Sequence, residues 1–147
     1  MKAPNENPKI EQLKYPCYVQ PLPDLEHLED VLLGHKAFYY YDKKHNKRYY
    51  YDCMPMTDYI AKKCKLTFEE RLIKLRMILS ELANYIEEID LPTTKVTNPV
   101  ELLDIYKDSL TNGFKGIRIL NMDGYYIFGE STEGELWELM PRKVVVE

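Results

Sequence analysis

Lys43, Lys44, His45, Lys47 and Arg48 stand together in the chain, with Tyr39, Tyr40 and Tyr41 before them and Tyr49, Tyr50 and Tyr51 after. Cations meet phosphates and aromatic rings stack on bases, so Lys43, Lys44, Lys47 and Arg48 are candidate nucleic-acid contacts. The competing expectation is a solvated hairpin tip whose tyrosines fill a sheet. Lys62, Lys63 and Lys65 either extend that patch or form a solvated loop. His27, His35 and His45 have no partner at metal-ligand spacing, so no metal site is expected. Cys17, Cys53 and Cys64 are odd in number, lack a C-x-x-C pair and have no histidine in a recognisable relation to them, which points to inert thiols in a reducing compartment. Glu130, Glu133 and Glu135 read as a charged loop without an acid-base role.

The whole composition bounds what these groups can do. A chain of 147 residues leaves room for one domain with an ordinary core. Hydrophobic residues at 45% and charged residues at 30% exclude wholesale disorder and a membrane protein. The first residues carry no apolar leader segment, and no stretch has the length of apolar residues that a membrane span needs, so a soluble, cytoplasmic protein is expected. At a net charge of −4, nucleic acid could be held only by a local basic patch. Thirteen tyrosines against four phenylalanines is the compositional excess, and six of them lie between Tyr39 and Tyr51.

The elements that must position these residues follow from periodicity and punctuation. Residues 1–12 read as a flexible tail and 13–147 as one domain. Tyr15 to Pro23 is expected to be an edge strand or strap, because Pro16, Pro21 and Pro23 cannot donate to a central ladder. Asp24 to Leu33 fits a short acidic helix with Asp24 as N-cap and Leu25, Leu28 and Leu32 on one side. Ala37 to Cys53 is a β-hairpin turning at His45-Asn46, which sets Tyr41 opposite Tyr50 and Tyr40 opposite Tyr51. Thr67-Phe-Glu-Glu70 is a capping box. Behind it Phe68, Leu72, Leu75, Leu79, Leu82, Ile86 and Ile89 predict a helix as far as Leu91-Pro92, its stripe widened by Ile73, Met77 and Ile78 so that it packs on a sheet. A second helix runs from the N-cap Asn98, with Pro99 in its first turn, to Asn112-Gly113 and buries Leu102, Leu103, Ile105, Tyr106 and Leu110. Strands follow at Lys115 to Asn121, Tyr125 to Gly129 and Glu135 to Met140, with Asp123-Gly124 as a hairpin turn. Hairpins and two main helices without β-α-β alternation make an α+β fold on an antiparallel sheet.

In order and spacing these segments resemble the adenylation (ATP-grasp-like) domain of ATP-dependent DNA ligases and related nucleic-acid ligases, the covalent nucleotidyltransferases. Tyr15-Pro-Cys-Tyr-Val-Gln-Pro21 resembles the strand leading to the family's nucleophile motif Q-P-K-L-D-G. Tyr51-Asp-Cys-Met-Pro-Met56 resembles the stretch that precedes a helix of the form L-x-x-E-R-L, here within Leu66-Thr-Phe-Glu-Glu-Arg-Leu72. Phe114-Lys-Gly-Ile-Arg-Ile119 resembles the E-G-I-V strand, and Glu135-Leu-Trp-Glu-Leu-Met-Pro-Arg-Lys143 the closing W-x-K-x-K-P strand.

The chain departs from the family wherever the chemistry needs charge. The resemblance implies a lysine amine that attacks the α-phosphate, but that position is Leu22, followed by Pro23-Asp24-Leu25. Where the family has D-G-E to hold metal and ribose, this chain has Leu33-Gly34-His35, and where it has E-G, this chain has Lys115-Gly116. The closing lysines are replaced by Glu138 and Met140. The interval from Leu22 to Gly34 is also shorter than the family's, and no OB-fold domain is expected to follow. The resemblance therefore implies a truncated, degenerate ligase relative with no catalytic residue and no cofactor. Such a chain would bind DNA, a replication or repair protein, or a second copy of itself through open edge strands. One alternative is an active nucleotidyltransferase subunit using ATP and Mg²⁺, completed by a partner chain, with Asp24 or Lys115 taking over missing roles. Another is a small structural phage or bacterial protein that shares only the fold.

Overall fold

Alternating apolar strands and two capped helices assemble into two facing sheets in a computed structural model that describes residues 1–83, 88–129 and 135–142. The strands are β1 (Cys17–Leu22), β2 (Glu26–Leu32), β3 (His35–Asp42), β4 (Lys47–Pro55), β5 (Glu88–Asp90), β6 (Thr94–Val96), β7 (Gly116–Asn121) and β8 (Leu136–Leu139). The helices are α1 (Met56–Ala61), α2 (Phe68–Leu82) and α3 (Pro99–Thr111). One sheet has the order β6-β1-β7-β8 and the other β2-β3-β4-β5. All neighbours are antiparallel except β4 and β5, so the fold is α+β as expected. Among the described residues no helix is long and apolar enough to cross a membrane.

The period of two assigns the faces. Cys17, Val19, Ile117 and Ile119 point to one side of the first sheet and pack with Leu102 of α3. Residues of opposite parity, Gln20, Leu22 and Arg118, face the second sheet, where Leu22 joins Phe38, Tyr40, Tyr51 and Met54. On the outer side of that second sheet, Tyr39, Tyr50 and Cys53 receive Leu75 and Ile78 of α2. The tyrosine excess thus fills both faces of β3 and β4, with helix on one side and sheet on the other.

Local signals explain both helices. Thr67 Oγ1 accepts from Glu70 N while Glu70 Oε1 accepts from Thr67 N, each at 3.2 Å, the expected capping box. Asn98 Oδ1 accepts from Glu101 N at 3.0 Å with Pro99 at the first turn, and Gly113 ends the helix at φ 90°. A buried ion pair pins α2 to β4. Arg71 Nε and Nη2 donate to the two carboxylate oxygens of Asp52 at 2.8 and 3.3 Å, and Nη1 donates to the carbonyls of Leu66 and Gly124.

Several expectations change. The segment expected as an acidic helix is β2, whose Leu28 and Leu32 face α2 with Tyr39 and Tyr50, while His27, of opposite parity, faces the inter-sheet side beside Phe38, Tyr40 and Tyr51. Leu33 and Gly34 take positive φ and close a hairpin onto β3. Strand β1 is interior rather than an edge. Its Pro21 is tolerated because β6 pairs only Cys17 to Val19 and has ended before the proline.

The β3–β4 hairpin is present, but its loop is longer than two residues. Asp42 accepts from His45 N and Nδ1, Asn46 takes φ 51°, and the ladder closes at Asp42 and Lys47. Tyr41 therefore faces Arg48, Tyr40 faces Tyr49 and Tyr39 faces Tyr50, with a bulge between Phe38 and Tyr39. The rings of Tyr40 and Tyr51 still meet, at 4.8 Å.

Helix α2 stops at Leu82. Ile89 belongs to strand β5, and Ile86 lies outside the described residues, as do Glu130 and Glu133. Tyr125 to Gly129 forms only a bridge from Tyr125 to Thr67, and β7 pairs with β8 instead of a hairpin partner at Asp123-Gly124. The segment expected as a flexible tail lies along the fold. Lys2 N donates to the Gly129 carbonyl at 2.7 Å, and Ala3 is buried with Phe68, Leu72 and Leu120. Helix α1 has six residues and no side-chain cap, so no local signal marks it.

Candidate binding cleft

Beside the end of β1 and the start of β7 lies a cleft of about 460 Å³. Leu22, Lys115, Glu138 and Met140, four of the five positions singled out in the sequence, all line it. The fifth, His35, stands apart at the start of β3, where its Nδ1 lies 3.0 Å from the Leu33 carbonyl. Gly116 makes this convergence possible. A Cβ there would stand 2.2 Å from the Leu139 carbonyl oxygen, so a side chain would push β8 away.

Leu22 is 2% exposed and packed in apolar surroundings, so its position offers hydrocarbon to the cleft. The backbone N–H of Lys115 donates to the Leu22 carbonyl at 3.0 Å, holding the two positions side by side. Arg118 projects from β7 into the space between the sheets and is 5% exposed. Its Nη1 donates to the Tyr40 hydroxyl at 3.0 Å, its guanidinium carbon lies 4.2 Å from the centre of the Tyr51 ring, and its Nε has no partner. Gln20, opposite Arg118 in the β1–β7 register, donates to the Tyr51 carbonyl and to Thr93 Oγ1, while its own Oε1 is also without a partner.

His27 Nε2 hydrogen-bonds the Tyr51 hydroxyl. Burial, reinforced by Arg118, lowers the His27 pKa below its ordinary value. Burial raises the Tyr51 phenol well above its usual range. The rim adds Lys2, Lys115 and Arg142 against one carboxylate, Glu138. Residues Met1 to Asn5 line the remaining side, and Asn7 ties this strap to Met140 and Arg142.

ATP and Mg²⁺, which an active relative would use, do not fit these residues. Mg²⁺ takes carboxylate and phosphate oxygens. Among the described residues Glu138 is the sole acid lining the cleft, amid four cationic side chains. Among the described residues no three of His, Cys, Asp and Glu come together as a metal-binding group. A base would also need an open ring face, and Arg118 covers Tyr51 while Phe38 stacks on Tyr126 at 5.4 Å.

The other sequence candidates lie elsewhere. Lys43, Lys44 and Lys47 are exposed at the β3–β4 loop, whereas Arg48 pairs with Asp30 at 3.1 Å and lies over the Tyr39 ring. Lys62 sits over the rings of Tyr59 and Phe128 at 4.1 and 5.3 Å, beside exposed Lys63 and Lys65. All three cysteines are buried and free; burial pushes Cys17 up to about 11 and Cys53 up to about 12, which removes thiolate character. Sequence reasoning missed Arg118 and Gln20. Their signal is a strongly polar residue flanked by isoleucines or by valine and proline, in segments whose other members are core.

No family model matches the sequence, and no curated protein matches it significantly. Solved structures do share its architecture. A Chlorella virus DNA ligase-adenylate superposes with TM-score 0.69 at 18% identity, covering 95% of this chain and 66% of that one. A Lig E DNA ligase gives 0.68 at 9% identity, covering 95% and 68%. A chain named Pmar-Lig_Pre gives 0.72 at 8% identity, covering 85% of this chain and 42% of that one. The chain thus spans from under half to about two thirds of these proteins, and what it shares with them is the DNA ligase-like fold.

Proposed function

We propose that this chain is a non-catalytic DNA ligase-like protein that acts by binding, as an interaction module in DNA metabolism. The observation that carries this reading is the cleft itself. Leu22 occupies the position where the resemblance implies the nucleophile, and a hydrocarbon cannot form the phosphoramidate that covalent nucleotidyl transfer requires. The cationic lining supports the same reading, since it leaves no acidic pair to seat a metal.

The test is incubation with α-labelled ATP and Mg²⁺ followed by denaturing electrophoresis. No covalently labelled band is expected. A band that disappears when one lysine is replaced would overturn the reading. The second reading, a ligase-type nucleotidyltransferase completed by a partner chain, has one favouring observation: the side chain of Lys115 lines the cleft next to Leu22. It requires labelling that is lost in Lys115→Met.

For the partner, DNA reached through Lys43, Lys44 and Lys47 fits the exposed basic loop, and a replication or repair protein or a second copy fits the open edge of β2. A soluble, cytoplasmic setting accords with three buried free thiols.

A further inference from the structure

We infer that the cleft is a site for a phosphate-type oxyanion, held by Arg118 and approached by Lys115 and Arg142, and that it does not take a nucleotide. The inference rests on the reading of this cleft as a non-catalytic binding site and specifies its ligand.

The starting point is an uncompensated charge. A guanidinium keeps its positive charge under all ordinary conditions and carries five N–H donors in a fixed fork. Burying it without an anion is costly, so buried arginines are normally paired. Arg118 is 5% exposed, its polar neighbours are the neutral hydroxyls of Tyr40 and Tyr51, and its Nε–H has no acceptor. The acid whose field reaches it, Asp52, is committed to Arg71. Lys115 and Arg142 line the same space, and among the described residues Glu138 is the single acid there. An oxyanion in the cleft would offset the charge of this cluster, the use to which planar guanidinium donors are best suited.

The same residues discriminate against a nucleoside. The guanidinium lies 4.2 Å from the Tyr51 ring centre, so the face that a base could stack on is already taken. Tyr40 packs on Tyr51 at 4.8 Å and Phe38 on Tyr126 at 5.4 Å, which leaves the remaining rings facing one another. Affinity should therefore follow the phosphate groups and ignore the base and sugar.

The experiment is calorimetric titration of the whole chain with inorganic pyrophosphate, tripolyphosphate and ATP at fixed ionic strength. Saturable one-to-one binding of pyrophosphate is expected, with ATP binding no tighter than tripolyphosphate. Lys115→Ala and Arg142→Ala should each weaken binding several-fold while keeping the melting temperature. Arg118→Met should weaken it about tenfold or more, the usual weight of a charge-assisted hydrogen bond. Arg118→Lys, which keeps the charge but loses the fork, should recover only part of the affinity. Absence of saturable binding, affinity unchanged in both rim variants, or ATP binding tenfold tighter than tripolyphosphate would each overturn the site. The first of these leaves the non-catalytic reading standing. A covalent adenylate on the protein would instead remove that reading and this one with it.

Discussion

Arg71 and Arg118 are both buried, at 1% and 5% exposure, yet they are satisfied in opposite ways. Arg71 has a bidentate carboxylate and two backbone carbonyls, which together use four of its five N–H donors to join α2, β4 and the Gly124 turn. Arg118 has a tyrosine hydroxyl, an aromatic face and an idle Nε–H at the wall of a cleft. The first arrangement completes a fold. The second leaves a charge whose partner must come from outside, and the difference separates structure from site in a chain where motif residues alone do not.

The largest effect that could break this contrast is on stability. Asp52→Ala should cost about 3–5 kcal/mol, because it leaves the Arg71 charge buried and unpaired. A urea denaturation midpoint little changed from the parent would show that Arg71 is not the structural member. Thr67→Ala removes the cap at the start of the helix that carries Arg71 and should cost about 1 kcal/mol in the same measurement. Arg118→Met should leave stability unchanged or raise it, since it removes a desolvated charge that lacks an acid. A loss comparable to that of Asp52→Ala would make Arg118 structural too.

The smallest effect is a pH dependence. His27 has its folded pKa depressed by burial and by Arg118, so below its unfolded value near 6.5 the unfolded chain binds more protons than the folded one. Stability contributed by neutral His27 is therefore present above that value and declines as the pH falls below it. Melting curves at pH 7 and pH 5 should show a loss that is smaller in His27→Gln. An equal loss in both would place the titration elsewhere.

How much of this was legible depends on whether a signal was local. Both caps, at Thr67 and Asn98, and the stop at Gly113 are written in adjacent residues and were read at the right positions. Strand β2 reads as a helix because Leu28 and Leu32 satisfy a helical spacing as well as the alternation that turns them toward α2. The end of α2 was misplaced because Ile86 and Ile89 continue the helical spacing, whereas the chain beyond Glu88 pairs with β4 and Leu91 N donates to the Tyr50 carbonyl at 2.7 Å. Tertiary hydrogen bonding overrode the local pattern there.

At the site, Leu22, Lys115, Glu138 and Met140 converge as the order of motifs implied, while His35 does not. For Arg118 the flanking isoleucines mark a buried cation, but that its Nε has no partner is a tertiary fact that no spacing along the chain encodes.

The central claim is that this cleft binds without transferring a nucleotide. Intact mass spectrometry of the purified chain after prolonged incubation with ATP and Mg²⁺, with and without nicked DNA, tests it most directly. The expected result is the unmodified mass in every condition. A species heavier by one adenylate, absent from Lys115→Met, would contradict it.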